Sequence, residues 1–445
     1  MRQSRVTDSR PNVLFILADD QRYDTIGALG NSEVSTPNLD ALVRSGTAFN
    51  SAHIMGGSHQ AVCMPSRAML LTGRSLFHLD RQGQDIPVGH PMFPEVLRSR
   101  GYTTFGTGKW HNGPASFARC FSAGESIFFG GMHDHFCMPI HDFEPSGDYP
   151  ERDHNVAQGR HSTDIFGESV ERFLDNYDDT APFLAYLSFT APHDPRDTHP
   201  RYHDMYDPDS LELPGNFSTE HPFGNGELDV RDELLAPFPR TPDDIRRHIA
   251  EYYAMITHLD DRIGRVLAPL ESSGRADNTI VVFAGDNGLA LGRHGLMGKQ
   301  NLYDHSVRVP LVMSGPGIPQ SQTNDALVYL SDIYATLFEL IGEPLPESVE
   351  GASLVPVMHS GQSAPRDNLF TAYRSYQRAV RDSHHKLIEY SVDGERRTQL
   401  FDLKADPWET HDLSDNAASA QTVARLRAEL SRWQTDLDDP SPIAM

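Results

Sequence analysis

The chain has 445 residues, of which 38% are hydrophobic and 22% charged, a make-up that supports a sizeable packed core and shows no bias towards fibre or disorder. Its 38 Lys and Arg against 62 Asp and Glu give a formal net charge of −24, which argues against nucleic acid or a membrane as partner, since both want basic surface. Apolar runs such as Val13–Leu17 are far shorter than the ~20 residues of a bilayer span.

From the N-terminus, MRQSRVTDSR lacks the apolar stretch of a secretory signal, so the expectation is a cytoplasmic protein unless a signal has been removed. Val13–Leu17 then reads as a buried strand that runs straight into Asp19 and Asp20. Thr36-Pro37 starts a helix through Ser45, with proline in the first turn. Cys63-Met64-Pro65-Ser66-Arg67 precedes helix-forming Ala68–Leu71, which places Cys63 at a helix N-terminus and Arg67 one turn on, on the same face. A helix start beside a guanidinium favours negative charge, so this is a candidate reactive thiol or oxyanion site.

Tyr102–Phe105 reads as a strand leading through glycines into Lys109 and His111, and Phe183–Phe189 as another ending at His193. A helix is expected over roughly 163–177. His133-Asp134-His135, His141-Asp142 and the loop from Asp194 to Pro239 suggest contacts to a polar, sugar-sized group. Asp194, Arg196, Arg293 and His294 are the candidate substrate contacts, being neighbours of the core site in sequence. Asp243–Leu270 is a long amphipathic helix, with Ile245, Ile249, Tyr252, Ile256, Leu259 and Ile263 at helical spacing. Thr279–Phe283 is a further strand, ending at Asp286-Asn287, and Lys299 follows shortly after. The three cysteines are too few for a disulfide scaffold; Cys120 and Cys137 can be paired on paper, but buried free thiols are the simpler reading.

Strands alternating with helices predict a doubly wound α/β sheet whose ligand site lies beyond the carboxyl ends of the strands. A helix ends near Ile341, and Gly/Pro-rich chain follows. We therefore expect a catalytic domain over 1–345 and a small α+β domain over 346–445, with short strands and a last helix from about Ala420 to Trp433. Asp19, Asp20, Asp286 and Asn287 would bring three carboxylates and an amide oxygen together. Such a set repels itself unless a hard divalent cation, Ca²⁺ or Mg²⁺, lies among them. Lys109, His111, His193 and Lys299 add positive charge and a proton donor.

The motifs PNVLFILADD, C-x-P-S-R with LLTGR, GKWH, APHDP, GDNG and GRHGLMGK occur here in one order over about 11–319. On them the chain resembles the type I sulfatases of the alkaline-phosphatase-like superfamily, bacterial carbohydrate sulfatases above all, and LFDLKADPWETHDL resembles their small domain. The fold this implies is a large, mostly parallel sheet between helices, plus a C-terminal domain with antiparallel strands. The resemblance also implies that Cys63 is oxidised to formylglycine by a formylglycine-generating enzyme. Asp19, Asp20, Asp286 and Asn287 would hold calcium together with residue 63. Arg67 and Lys109 would steady the nucleophile, His111 would contact it, and Lys299 and His193 would face the sulfate, with His193 the candidate general acid. The implied activity is sulfate-ester hydrolysis, with a sulfated saccharide favoured over an aryl or choline ester. Alternatives are a phosphodiesterase or phosphonate monoester hydrolase of the same fold, and a non-catalytic sulfoglycan-binding protein.

Overall fold

The computed structural model of the protein describes residues 10–150, 154–359 and 364–443; apart from Arg10, the segment read for a secretory signal lies outside them. Eight strands form one sheet in the order Gln322–Asn324, Gly46–Phe49, Leu311–Ser314, Thr279–Gly285, Asn12–Ala18, Phe183–Ser188, Thr103–Lys109 and Ala123–Phe128. All pairings are parallel except the two made by Leu311–Ser314. That is the mostly parallel α/β sheet expected.

The central strand shows why its sequence is apolar throughout rather than alternating. Val13, Phe15 and Leu17 enter the core on one face of the sheet, while Leu14, Ile16 and Ala18 enter the core on the other. A strand covered on both faces has no solvent side to mark with polar residues. The helices Pro37–Ser45, Ser162–Asn176 and Pro242–Ser272 cover one face, through Leu39, Phe166, Leu259 and Ile263 among others. Cys63–Thr72, Phe93–Ser99 and Asp332–Ile341 supply Leu70, Phe93 and Leu337 to the other. Every residue of Cys63–Thr72 is buried, so that helix shows little of the one-sided pattern of a surface helix.

A second sheet holds Leu369–Tyr373, Gln377–Arg381, His385–Val392 and Glu395–Asp402 as an antiparallel meander, packed against the helix Ala420–Asp436 through Val423, Leu426 and Leu430. Its edge is completed by Gly56–Gly57, paired with Ala372 and Tyr373. Gly56 has φ +86°, and a Cβ there would stand 2.1 Å from the Ala372 carbonyl oxygen, so only glycine permits this approach. The segment leading into Cys63 is thereby stitched to the C-terminal sheet. Cys63, Cys120 and Cys137 are all free. Among the described residues no helix is long and apolar enough to cross a membrane.

Candidate active site

Parallel register brings the chemistry together. Ala18 lies opposite Gly285 in adjacent strands, so the residues just past each, Asp19 and Asp286, leave the sheet side by side. The Asp286 amide donates to the Ala18 carbonyl at 3.0 Å, and the Asp20 amide donates to Asp286 Oδ1 at 3.1 Å. On the opposite flank, Leu17 pairs with Ser188 and Gly108 with Ser188, which levels the Lys109 and His193 loops with the same edge. Asp20 and His111 both sit at positive φ, +63° and +69°. Left-handed backbone at residues other than glycine costs about 1–3 kcal/mol each and concentrates where side chains must be aimed at a site.

The start of the Cys63–Thr72 helix points at this edge. Lys109 Nζ donates to Asp19 Oδ2 at 2.5 Å and lies 3.4 Å from Cys63 Sγ, and His111 Nδ1 lies 3.3 Å from the same sulfur. Arg67 Nε donates to Asp286 Oδ2 at 2.7 Å, and its NH1 donates to the Lys109 carbonyl and the Ser188 hydroxyl. Lys299 Nζ donates to Asp20 Oδ1 at 2.5 Å, an oxygen that also accepts from Asn287 Nδ2 at 2.6 Å. His193 Nδ1 donates to the Asp194 carbonyl at 2.8 Å, leaving Nε2 3.6 Å from Asp20 Oδ2.

Burial and charge set the protonation states. Burial, then the neighbouring Asp286, pushes Asp19 up to about 6. Burial alone would also raise Asp286, but the Arg67 guanidinium and then Lys109 hold it below the ordinary carboxylate range. Burial pushes the Cys63 thiol up, against the pull of Lys109 and Lys299. Burial would lower both lysines, yet Asp19 beside Lys109 and Asp20 beside Lys299 keep them above the usual range. His111 is driven well down by burial and then by Lys109, so it is a neutral imidazole.

Asp19 Oδ1, Asp20 Oδ2 and Asn287 Oδ1 are buried, have no hydrogen-bond partner, and come from the two neighbouring strand ends. Buried acceptors of this kind are costly and rare, and a cation among them removes the cost. Carboxylate and sulfur atoms of Asp19, Asp286 and Cys63 also lie within 4.8 Å of one another. The residues fit a hard divalent cation.

Above this floor lies a cleft of about 220 Å³ lined by Cys63, His111, His193 and Lys299 together with His59, Gln60, Met132, Arg231, Asp232 and Gln300. Gln300 accepts from the Lys299 amide and donates to Asp232, while Arg231 pairs with both Asp194 and Asp232. Of these lining residues, Arg231 and Asp232 belong to the Asp194–Pro239 loop expected to meet a sugar-sized group, His59 and Gln60 stand just upstream of Cys63, and Met132 and Gln300 carry no sequence signal. Ser66 was also passed over, although its hydroxyl donates to the Asp286 carbonyl at 2.5 Å and ties the two motifs together.

The four expected substrate contacts divide. Asp194 backs the cleft, its carboxylate committed to Arg231. Arg196 is buried against His248 Nδ1 at 3.1 Å, away from the lining. Arg293 donates to Asp24 at 2.5 Å and lies over the Trp408 ring. His294 stacks on Tyr303 at 3.9 Å and lines a different cavity. Arg196, Arg293 and His294 do not line this cleft, each being bound to other groups of the protein. His133, His135, His141 and Asp142 do not line it either.

The chain matches the Sulfatase family model over residues 11–343, and residues 292–436 match the model described as N-sulphoglucosamine sulphohydrolase, C-terminal. It is 26% identical to N-acetylglucosamine-6-O-sulfatase of Bacteroides thetaiotaomicron, over 97% of this chain and 88% of that protein. It is 30% identical to the ulvan-active sulfatase of Formosa agariphila, over 97% of this chain and 82% of that protein. Among solved structures, one of a protein in complex with its substrate D-glucosamine-2-N,6-O-disulfate superposes with a TM-score of 0.82 at 24% identity, over 97% of this chain and 99% of that one.

Proposed function

This chain belongs to the sulfatase family and is a sulfuric ester hydrolase; from that premise we propose that its substrate is a sulfated saccharide, cleaved at the Cys63 cleft with that residue matured to formylglycine by a formylglycine-generating enzyme. The observation that carries the site is the convergence of the unpartnered oxygens of Asp19, Asp20 and Asn287 beside residue 63. Asp19, Asp20, Asp286 and Asn287 would hold the cation, calcium by the all-oxygen donor set, with magnesium the other hard-ion option. A cation held by these residues would supply Lewis-acid polarisation of a sulfate oxygen. The hydrated aldehyde at residue 63 supplies the attacking oxygen and a second hydroxyl through which sulfate is expelled.

The chain's own residues do the rest. Lys109 and Arg67, both fully buried, fix Asp19 and Asp286 and place positive charge next to residue 63. Neutral His111, 3.3 Å from the residue 63 side chain, is placed to take a proton from it. Lys299 faces the cleft and stabilises charge that spreads onto the sulfate oxygens. His193, with Nδ1 tied to a backbone carbonyl, presents Nε2 to the leaving oxygen as general acid. The saccharide assignment is supported by the names of the relatives above, and Gln60, Arg231, Asp232 and Gln300 stand at the cleft where a leaving group would lie.

The test is sulfate release from a panel of N- and O-sulfated mono- and oligosaccharides, with choline sulfate and a phosphonate monoester as comparators. We expect at least one saccharide to exceed both comparators by about 100-fold or more in kcat/KM, since a site built to hydrogen-bond polar groups can discriminate by about 10⁴- to 10⁵-fold. All saccharides left untouched while choline sulfate turns over would overturn the substrate class. Phosphonate hydrolysis equal to the best sulfate would favour the phosphonate hydrolase reading.

A further inference from the structure

We propose that His135 is a positioning residue for His193, holding the backbone of the general acid without touching substrate. The proposal rests on the reading of His193 as proton donor to the leaving oxygen. His135 is 2% exposed and lies outside the cleft lining. Its Nε2 is 3.0 Å from the carbonyl oxygen of His193. A carbonyl only accepts, so Nε2 carries the hydrogen. Burial holds the ring at about 4, which keeps it neutral and leaves Nδ1 a bare acceptor. Nδ1 takes the hydroxyl hydrogen of Ser162 at 2.7 Å, and the Ser162 oxygen lies 2.9 Å from Thr190 Oγ1, three residues before His193.

A second imidazole completes the grip. His161 stacks on His135 with centroids 4.9 Å apart and planes 6° from parallel. Its Nε2 donates to the Asp197 carbonyl at 3.0 Å, and its Nδ1 accepts from the Thr163 amide at the start of the Ser162–Asn176 helix. Thus two stacked rings seated on one helix start hold the carbonyls of His193 and Asp197, four residues apart on one loop. The loop's own hydrogen bond from His193 Nδ1 to the Asp194 carbonyl then fixes the ring direction. With the backbone and Nδ1 both pinned, Nε2 has one direction left, into the cleft. Losing the outer restraint lets the acid drift, and a misplacement of about 1 Å is worth about 100-fold in rate at a proton-transfer position.

The readout is selectivity for leaving groups, which a loss of general folding does not move. His135→Phe keeps the stack and removes both ring nitrogens; His135→Asn keeps a polar group near Ser162 but is too short for the His193 carbonyl. His135→Gln places an amide donor near the original Nε2. With phenyl sulfate and para-nitrophenyl sulfate as probes, we expect the Phe and Asn variants to lose about tenfold or more kcat on phenyl sulfate beyond their loss on the nitrophenyl ester. KM should change little, and the Gln variant should recover most of the difference. His193→Ala serves as reference and should show the same selectivity, more strongly. If His193→Ala harms both esters equally, the acid role falls and the positioning role with it. If His193→Ala is selective but the Phe and Asn variants lose equally on both esters, or lose nothing, the positioning role alone is overturned.

Discussion

Cys63→Ala is expected to lower turnover by about 10⁵- to 10⁶-fold, the scale of loss when a covalent nucleophile is removed from an otherwise intact site. The remaining machinery cannot compensate. Lys109 and His111 both converge on the residue 63 side chain, at 3.4 and 3.3 Å, and with a methyl group there they address nothing that can attack sulfur. The fold should survive. Cys63 is a buried first-turn residue, and the helix it begins is held by Ser66 to the Asp286 carbonyl and by Asn112 to the Met64 carbonyl at 2.9 Å. Trimming sulfur to hydrogen costs of the order of 1 kcal/mol in a well-packed interior, a small shift in the thermal midpoint. Sulfate release within tenfold of the unaltered protein would remove residue 63 from the chemistry.

Stripping the cation should have the next largest effect, lowering kcat/KM by about 1,000-fold or more, with recovery on adding calcium. The charge arithmetic gives the reason. Asp19, Asp20 and Asp286 are matched by Lys109, Lys299 and Arg67, each within ion-pair distance of its carboxylate, so the protein's own charges nearly cancel. A dication held there would make the pocket net positive, which suits an anionic sulfate ester. Chelation should also lower the thermal midpoint, since a ligand present at 100 times its dissociation constant stabilises the folded state by about 2.7 kcal/mol. Asp286→Ala should reproduce the activity loss without calcium rescue, because it would remove a proposed cation ligand and release Arg67 together. Full activity in a chelated sample with no residual metal would contradict the site.

The parts of this site legible in the sequence are those where strand physics fixes position. Val13–Leu17 and Thr279–Phe283 are apolar on both faces, which marks them as interior strands, and polar doublets immediately past such runs emerge at one edge of a parallel sheet. Asp19 and Asp286 therefore meet without any long-range information beyond strand adjacency. Cys63 was legible for a different reason, since Pro65 and the leucine-rich stretch after it define a helix start. Arg231 and Asp232 are legible only as members of the Asp194–Pro239 loop, and Gln300 not at all. That long loop has neither helical nor alternating period, and its path over the cleft is set by tertiary contacts such as Arg231 with Asp194.

Sequence proximity does not by itself aim a side chain. Arg293 and His294 lie six and five residues before Lys299, but His294 takes a positive φ of +54°, and the turn sends both side chains to Asp24 and Tyr303 instead of the cleft. His135, part of a cluster whose composition suggests a sugar-sized partner, is buried with its Nε2 on the His193 carbonyl. Gly56–Gly57 had no strand pattern at all, because two glycines at a sheet edge carry no side chains to alternate.

Sulfate-ester hydrolysis at this cleft requires residue 63 as an aldehyde rather than a thiol. Mass spectrometry of the peptide containing it, from protein coexpressed with a formylglycine-generating enzyme, measures that state directly. Conversion of the thiol to an aldehyde lowers the peptide mass by about 18 Da, and sulfate release should rise in proportion to the converted fraction. An unmodified cysteine in a preparation that turns over sulfate esters at full rate would contradict it.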